Sequence, residues 1–305
     1  MSTFVIRQIF RVITVLLTIE TIVFIGLNLT GDPIRALLPP TATKDDIEAL
    51  KKQLGMDKPL MTRYGLFISQ LLKFDFGKSL RTSRLALQEA LTSVKSTLLL
   101  ASVSMLTSAA VGLLLGILIA TSRSITIRRG ILICSLIGQS LPSFWIGLLF
   151  IYLFALRLRI LPTYGYGSWR NIVLPALTLT VFLFSSILML TYVSFNNILQ
   201  EMYILTARAK GLSEWSVIFK HAFRNASIPI VTQIVTQLRF VLGGSVVVES
   251  IFGWPGLGRL LAQAAFSRDY PVVAAGTVIM TLLAMVLNVL LDLLYTVLDP
   301  RIRYY

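Results

Sequence analysis

The chain has 305 residues, of which 55% are hydrophobic and 14% charged, and its mean hydropathy is +0.79. Soluble globular domains carry about 25% charged residues, so this composition excludes that class and indicates a membrane protein. The formal net charge of +14 does not indicate nucleic-acid binding, because the basic residues are scattered between apolar runs. The single cysteine, Cys134, lies in an apolar run, which excludes an intrachain disulfide and a thiolate zinc site.

Apolar runs are the dominant pattern of the chain, and six are long enough to cross about 30 Å of hydrocarbon as helices. The first follows Arg7 and Arg11, as in a secretory signal. Its apolar core is too long for one and no small-residue cleavage site follows, so we interpret it as a retained span. The sequence predicts an all-α membrane protein with six transmembrane helices, at residues 9–29, 98–121, 131–156, 172–195, 228–248 and 272–298.

Residues 30–96 separate the first two spans and are predicted to form an extracytoplasmic segment with short helices. In TATKDDIEALKKQLG, Thr43 precedes Asp46 by three residues, as in a capping box, and Gly55 marks the end of a helical pattern. We interpret the segment as a solvated cap, because so few residues bury little core. The chain therefore divides into 1–29 with the first span, 30–96, and a five-helix core at 97–305.

Small residues and a proline stand out inside the second and third spans. Gly112 and Gly116 share one helix face, which is typical of close helix packing. Pro142 removes a backbone hydrogen bond within the third span. Such a break is tolerated where neighbouring groups or a cavity satisfy the freed carbonyl, so Pro142 predicts either ordinary packing or a cavity-lining position.

A polar, basic stretch, ILTARAKGLSEWSVIFKHAFRNASIP, lies between the fourth and fifth spans and contains the only histidine, His221. Its pattern predicts a pair of short helices broken at Gly211. An apolar stripe on that pair suits docking into a groove of another protein. The alternative is an amphipathic helix lying on anionic lipid. The predicted stripe consists of Ala207, Leu212, Trp215, Ile218, Phe219 and Phe223.

Three ionisable residues, Glu20, Arg239 and Asp292, fall within the predicted spans, and Glu249 falls at the outer end of one. Each is costly there unless it is paired or faces water. They form no catalytic arrangement, and the chain has no G-x-x-x-x-G-K-[ST] motif with which to hold ATP. We therefore expect a protein that is not an enzyme. Arg239 lies near mid-membrane, where it either forms an internal ion pair or lines a path for carboxylate-bearing solutes.

The distribution of Lys and Arg favours one orientation. With both termini and the loops at 122–130 and 204–229 in the cytoplasm, the short cytoplasmic segments carry eleven Lys and Arg against five on the opposite side. The segment 30–96 carries another eleven and would lie outside. Long loops are largely exempt from this rule, so both termini are predicted to be cytoplasmic.

The stretch from Leu205 to Pro229 resembles the EAA loop of ABC importer permeases, in the form found in the dipeptide, oligopeptide and nickel importer family. The resemblance covers the whole chain through LTGDP (29–33), FDFGKSL (74–80), GGSVVVESIFGWPGLGRLL (243–261), RDYPVV (268–273) and LDPRIR (298–303). It implies the six-helix permease fold and a multi-pass subunit of the bacterial inner membrane. This subunit would form half of the translocation pathway of an ATP-driven, binding-protein-dependent importer.

In that family the loop, here at about 196–227, supplies the coupling helix that docks on a cytoplasmic ATPase subunit. Leu205 or Thr206 replaces the glutamate that names the loop, and Arg224 stands in place of its usual proline. The resemblance assigns ATPase coupling to Ala207, Arg208, Gly211, Leu212, Ser213, Glu214 and Trp215. Arg239, Glu249 and Trp254 are the candidate residues of the substrate pathway.

The resemblance also implies partners: a second, non-identical permease, one or two ATPase subunits, an extracytoplasmic solute-binding protein and membrane lipid. ATP and Mg²⁺ would bind to the ATPase subunits, and no cofactor, metal or nucleic acid is expected on this chain. The expected solute is a di- or oligopeptide, with nickel or a metal chelate as the alternative. A different class is an ion-coupled secondary transporter working through Glu20, Asp292 or Glu249, whose inverted repeats we do not find in the sequence.

Overall fold

The computed structural model describes the backbone of residues 2–29, 43–53 and 57–298; the side chains of residues 2–7, 9, 46, 50, 53, 239 and 291–298 lie outside the description. Within these ranges the secondary structure is helical apart from one isolated bridge between Lys78 and Leu85. The helices are α1 (Ser2–Leu29), α2 (Lys44–Gln53), α3 (Leu60–Leu72), α4 (Ala86–Thr121), α5 (Ile125–Ser140), α6 (Ser143–Phe150), α7 (Trp169–Ile198), α8 (Met202–Ala209), α9 (Glu214–Ser216), α10 (Phe223–Ile251), α11 (Leu257–Phe266) and α12 (Tyr270–Leu298).

Two π-helical turns extend short helices without a break. Ile151–Arg157 continues α6, and Val217–Ala222 joins α9 to α10. The predicted helix after Thr43 is confirmed as α2. Gly55 and the signature residues at 30–33 and 299–303 lie outside the described residues.

Four described helices are long and apolar enough to cross a membrane, at Phe10–Leu29, Ala86–Thr121, Trp169–Ile198 and Tyr270–Leu290. Two bent helix pairs raise the number to six if each pair is one span. Four of the six predicted spans therefore fall on single helices of sufficient length and the other two on bent pairs, so that between four and six spans are possible. Helix α4 has 36 residues, and at 1.5 Å per residue it is about 54 Å long, well beyond the hydrocarbon thickness.

The third predicted span, 131–156, is wrong as a single straight helix. It falls across α5 and α6, which are bent by 104° at Leu141 and Pro142. Leu141 and Pro142 both adopt extended backbone conformations, because a proline disfavours helical geometry in the residue before it and lacks an N–H to continue the helix. The helix that contains the fifth predicted span, α10, begins before residue 228, at Phe223.

The chain folds into two compact units, each built from two stretches of sequence. Unit 1 comprises Met1–Ser96 and Pro255–Val286, and unit 2 comprises Thr97–Trp254 and Leu287–Tyr305. The division of the sequence into 1–29, 30–96 and 97–305 follows chain order and stays a prediction.

In unit 2, α7 packs against α5, α6 and α10. The predicted close contact at Gly112 and Gly116 is confirmed. A Cβ added to Gly112 would stand 2.8 Å from Cβ of Ile187, and one added to Gly116 would stand 2.5 Å from Cβ of Thr191. Since real Cβ atoms essentially never approach so closely, the two glycines allow α4 and α7 to pack with their backbones near each other.

In unit 1, a buried cluster joins α1, α3, α11 and α12, and two of the signature motifs are hydrogen-bonded to each other. The buried carboxylate of Asp269, from RDYPVV, accepts hydrogen bonds from the Ser79 hydroxyl and from the Leu80 backbone N–H of FDFGKSL. Hydrogen bonds to a charged acceptor are stronger than neutral ones. These motifs therefore have a structural role: they hold the start of α12 against the segment before α4.

Glu20 is the second buried carboxylate of unit 1 and is fully inaccessible. Neither carboxylate oxygen has a hydrogen bond among the described residues. The Thr277 hydroxyl faces Glu20 but donates to the backbone carbonyls of Val273 and Ala274. Glu20 therefore lies in an apolar setting where a polar group is costly.

Candidate coupling hairpin and solute cavity

Residues 202–222, here called the polar hairpin, consist of α8, a tight turn, α9 and the π-helical turn. Gly211 has φ = +76°, and the Leu212 N–H donates to the Ala207 carbonyl at 3.3 Å. This left-handed residue closes α8, as glycine commonly does at helix C-termini. Ser213 then caps α9, its hydroxyl accepting from the Ser216 N–H at 3.4 Å. The break predicted at Gly211 is confirmed.

An ion pair spans the turn of the polar hairpin. Nε and Nη2 of Arg208 donate to the two carboxylate oxygens of Glu214, at 2.9 and 3.2 Å. The pair is exposed, so it stabilises the fold by at most about 1 kcal/mol. Its two parallel hydrogen bonds bridge α8 and α9 across the turn.

The inner face of the polar hairpin is apolar and packed. Ala207 is 7% exposed, and Val217 and Ala222 are fully buried, in a cluster that includes Phe195 and Ile230. Ile218 and Phe223 pack against the same cluster. The predicted apolar stripe is therefore wrong as one surface, because Ala207, Ile218 and Phe223 face the protein's own core.

The outer face carries the remaining apolar residues of that stripe. Trp215 is 72% exposed, and its ring centroid lies 4.0 Å from that of Phe219. Leu212 is also exposed. A rigid support packed on one side and an exposed aromatic pair on the other suit contact with another macromolecule. Phe219 belongs to the predicted stripe but not to the predicted coupling set; its spacing of four residues from Trp215 is the signal that pairs them.

The polar hairpin is joined to the membrane part of unit 2 by continuous helix. From Glu214, α9 passes through the π-helical turn into α10, which ends at Ile251. The helix bends by 45° between Leu238 and Phe240. The hairpin and the bend therefore lie on one continuous run of helix.

A cavity of about 270 Å³ lies in unit 2 where α5 and α6 are broken and where α10 bends. Its described walls carry an amide, hydroxyls, aromatic rings and a bare backbone, and no ionisable side chain is among them. The residues that supply these groups are Gln139, Ser140, Ser143, Phe182, Phe240 and Gly244. The proline break therefore lies at a cavity, one of its two predicted alternatives. The polar residues flanking Pro142 were not among the predicted site residues. Their clustering around a proline inside an apolar run nevertheless indicates a cavity-lining position.

The three candidate pathway residues lie elsewhere or are not described. Glu249 is fully buried and accepts hydrogen bonds from Thr97 and Ser245, at 2.8 and 3.1 Å. Trp254 is 2% exposed and packs edge-on against Tyr166. Neither lines the cavity. The Arg239 side chain lies outside the described residues, as does that of Asp292, so their roles stay predictions.

Comparison with known proteins identifies the class of membrane protein to which the helical architecture of the described residues belongs. The family model described as binding-protein-dependent transport system inner membrane component matches residues 112–304, and a model of the N-terminal part of such membrane components matches residues 1–83. The chain belongs to this family of ABC importer permeases.

Among its relatives, the glutathione transport system permease protein GsiC of Escherichia coli strain K12 is 39% identical over 305 residues, covering 100% of both chains. GsiC of Salmonella choleraesuis is 38% identical with the same coverage. The fold also resembles solved ABC transporters. A MetNI methionine transporter chain in an inward-facing conformation has a TM-score of 0.60 at 18% identity, covering 70% of this chain and 97% of that one. An amino acid ABC transporter chain has a TM-score of 0.53 at 15% identity, covering 68% and 93%.

Proposed function

We propose that this chain is the transmembrane subunit of an ATP-driven bacterial inner-membrane importer of peptide-like solutes, and that its polar hairpin docks on an ATPase subunit. The observation that carries the proposal is the exposed Trp215–Phe219 pair on a hairpin whose opposite face is packed into the core. An aromatic pair supplies a large apolar contact at low conformational cost. The hairpin therefore has the form of a preorganised docking element.

The mechanical role follows from the continuity between the hairpin and α10. In the proposed importer, ATP and Mg²⁺ bind to the ATPase subunits, and this binding changes the distance between those subunits. An ATPase that contacts the hairpin differently in its two states biases the equilibrium of the membrane helices. The helix carries that bias to the bend beside the cavity. A second permease and a solute-binding protein complete the importer.

A peptide-like solute is supported by two observations. The GsiC relatives are described as glutathione transport permeases, and glutathione is a small peptide. The cavity offers an amide, hydroxyls and aromatic rings from Gln139, Ser143 and Phe240, which suit the amides and side chains of a peptide. Uptake of labelled glutathione, di- and tripeptides and Ni²⁺ in parallel distinguishes this proposal from nickel import; uptake of Ni²⁺ alone would overturn it.

Replacing Trp215 tests the docking role. Trp215→Glu should abolish capture of the ATPase subunit and lower solute uptake at least tenfold, because a charge replaces the apolar contact. Trp169→Glu is a matched control, since Trp169 is 71% exposed at the start of α7; ATPase capture should be unchanged. Pull-down and uptake are both measured, with the amount of inserted chain held equal.

Normal ATPase capture by Trp215→Glu would contradict the docking role and favour the alternative of a helix lying on lipid. Gly211→Leu provides an independent check. A side chain at Gly211 meets open space, so only the left-handed backbone is penalised, by about 1–2 kcal/mol. The turn should loosen and coupling should fall, while the spans stay intact.

A further inference from the structure

Unit 1 contains a second cavity, of about 240 Å³, that is unlike the one in unit 2 because it has a cationic side chain in its wall. Its walls come from α3, from α1 through Phe24, from Phe76 and Leu80 in the segment before α4, and from the first residues of α12. The side chains that define its chemistry are Phe24, Arg63, Phe67, Gln70 and Tyr270. The proposed transport function uses none of these residues.

The aromatic walls of this cavity are held in place by specific contacts. The Phe24 ring lies 5.3 Å from both the Tyr64 and the Phe67 ring. Tyr64 shares a 2.8 Å hydrogen bond with Thr21, and the Tyr270 hydroxyl donates to the Leu27 carbonyl at 2.7 Å. Rings that are fixed before a ligand arrives lose little conformational entropy on binding.

The cavity lies near the ends of two candidate spans, which is where a membrane surface is expected. Phe24 is five residues from the end of α1, and Tyr270 is the first residue of α12; both helices are candidate spans. Tyrosines are enriched at this depth. Beside the cavity, α3 exposes Leu60, Met61 and Leu66, at 51, 78 and 46%. Exposed apolar residues on a short helix at this level are typical of an element lying in the lipid interface.

Arg63 gives the site its charge. Its guanidinium makes no hydrogen bond or ion pair among the residues that the structure describes, and it is half-buried in the cavity wall. A guanidinium binds a phosphate through two parallel hydrogen bonds. Aromatic and aliphatic walls beneath it suit an acyl chain.

We propose that unit 1 binds one anionic phospholipid, with its phosphate on Arg63 and an acyl chain lying against the rings of Phe24 and Phe67. A lipid is the occupant that the exposed apolar residues of α3 favour, because the ligand must reach the cavity from an apolar surrounding. The site is independent of the polar hairpin and of the solute cavity.

Native mass spectrometry of the full chain with its co-purifying subunits tests the site. The detergent-purified, delipidated sample is titrated with dioleoylphosphatidylglycerol or dioleoylphosphatidylcholine. The anionic lipid should bind about tenfold more tightly than the zwitterionic one, because it lacks the choline cation that opposes Arg63. Arg63→Gln should remove this preference, whereas Arg84→Gln, an exposed cation of unit 1 outside the cavity, should keep it.

A second pair of variants tests the cavity rather than the charge. Leu66→Trp should block the entrance and weaken phosphatidylglycerol binding about tenfold, while Leu72→Trp, at an exposed position of α3 that does not line the cavity, should not. Equal affinities for the two lipids, or equal losses in Arg63→Gln and Arg84→Gln, would overturn the proposal. Displacement of the lipid by millimolar inorganic phosphate would also overturn it, because it would identify a site for a free anion.

Discussion

Thr97 and Ser245 surround the carboxylate of Glu249 with hydroxyl donors. Thr97 is on α4, and Ser245 is one turn before Glu249 on α10. All three residues are fully buried. A buried carboxylate without donors is strongly destabilising. Both hydroxyls supply a donor, and that of Thr97 also connects α4 to α10 through a polar contact.

Thr97→Val should destabilise the protein by about 1–3 kcal/mol, because it removes a donor from a buried acceptor at nearly constant volume. Thr97→Ser keeps the hydroxyl and should recover most of the loss. The control is Thr92→Val, at an exposed position on the same helix, which should change stability little. Thermal unfolding in detergent measures all three variants. Equal melting temperatures for Thr97→Val and Thr92→Val would contradict this role.

At the residue scale, the sequence predicted backbone features better than side-chain directions. Gly211 was predictable because a helical pattern stops at a residue that tolerates positive φ. The inward positions of Ile218 and Phe223 were not, because the π-helical turn at Val217–Ala222 changes the angular step on which the predicted stripe was based.

Gly116 is a test of helix packing between α4 and α7. Gly116→Ala should destabilise unit 2 by about 1–3 kcal/mol, because the new methyl group would overlap Thr191 and lie 3.0 Å from the Leu188 carbonyl. Gly130→Ala, in α5, meets open space and should be neutral or stabilise by about 0.5–1 kcal/mol. Chemical unfolding of both variants in the same detergent makes the comparison. A tolerated alanine at Gly116 would show that α4 and α7 can move apart without loss.

The role of the 270 Å³ cavity of unit 2 in the proposed solute path can be tested with two adjacent glycines of α10. Gly244 lines this cavity and Gly243 does not, and a Cβ added to either glycine would meet open space. Gly244→Leu should fill part of the cavity and lower uptake at least tenfold, with ATPase capture unchanged. Gly243→Leu has the same helix propensity and should retain most uptake. Similar uptake by the two variants would exclude the cavity from the solute path.

At the element scale, apolar run length predicted the long helices but not their breaks. The runs that became α4 and α7 are continuous, and α7 is unbroken even though Pro175 lies inside it. Hydropathy does not distinguish a straight span from two helices at 104°, since both are equally apolar. Pro142 indicated where a break was favoured, but the angle depends on packing against α7.

The whole molecule raises the question of orientation, which the helices alone do not answer. In a Cys134→Ser background, cysteines at Arg128 and Ser213 should be shielded from impermeant thiol reagents in intact cells. Cysteines at Lys51 and Ser168 should react. The expectation follows from the Lys and Arg bias and from the proposed docking of the polar hairpin on a cytoplasmic ATPase. The reverse labelling pattern would overturn both arguments.

The buried Glu20 has a consequence for biosynthesis. The side chain that faces it, Thr277, is 257 residues further along the chain. At about 5–20 residues per second, translation needs roughly 10–50 s to reach it. During that interval α1 resides in the translocon or the bilayer, and the carboxyl group of Glu20 is not yet covered by α12. We expect Glu20→Leu to increase the yield of inserted chain in a pulse–chase measurement, because the newly made helix would no longer carry a polar group that remains uncovered until α12 is made.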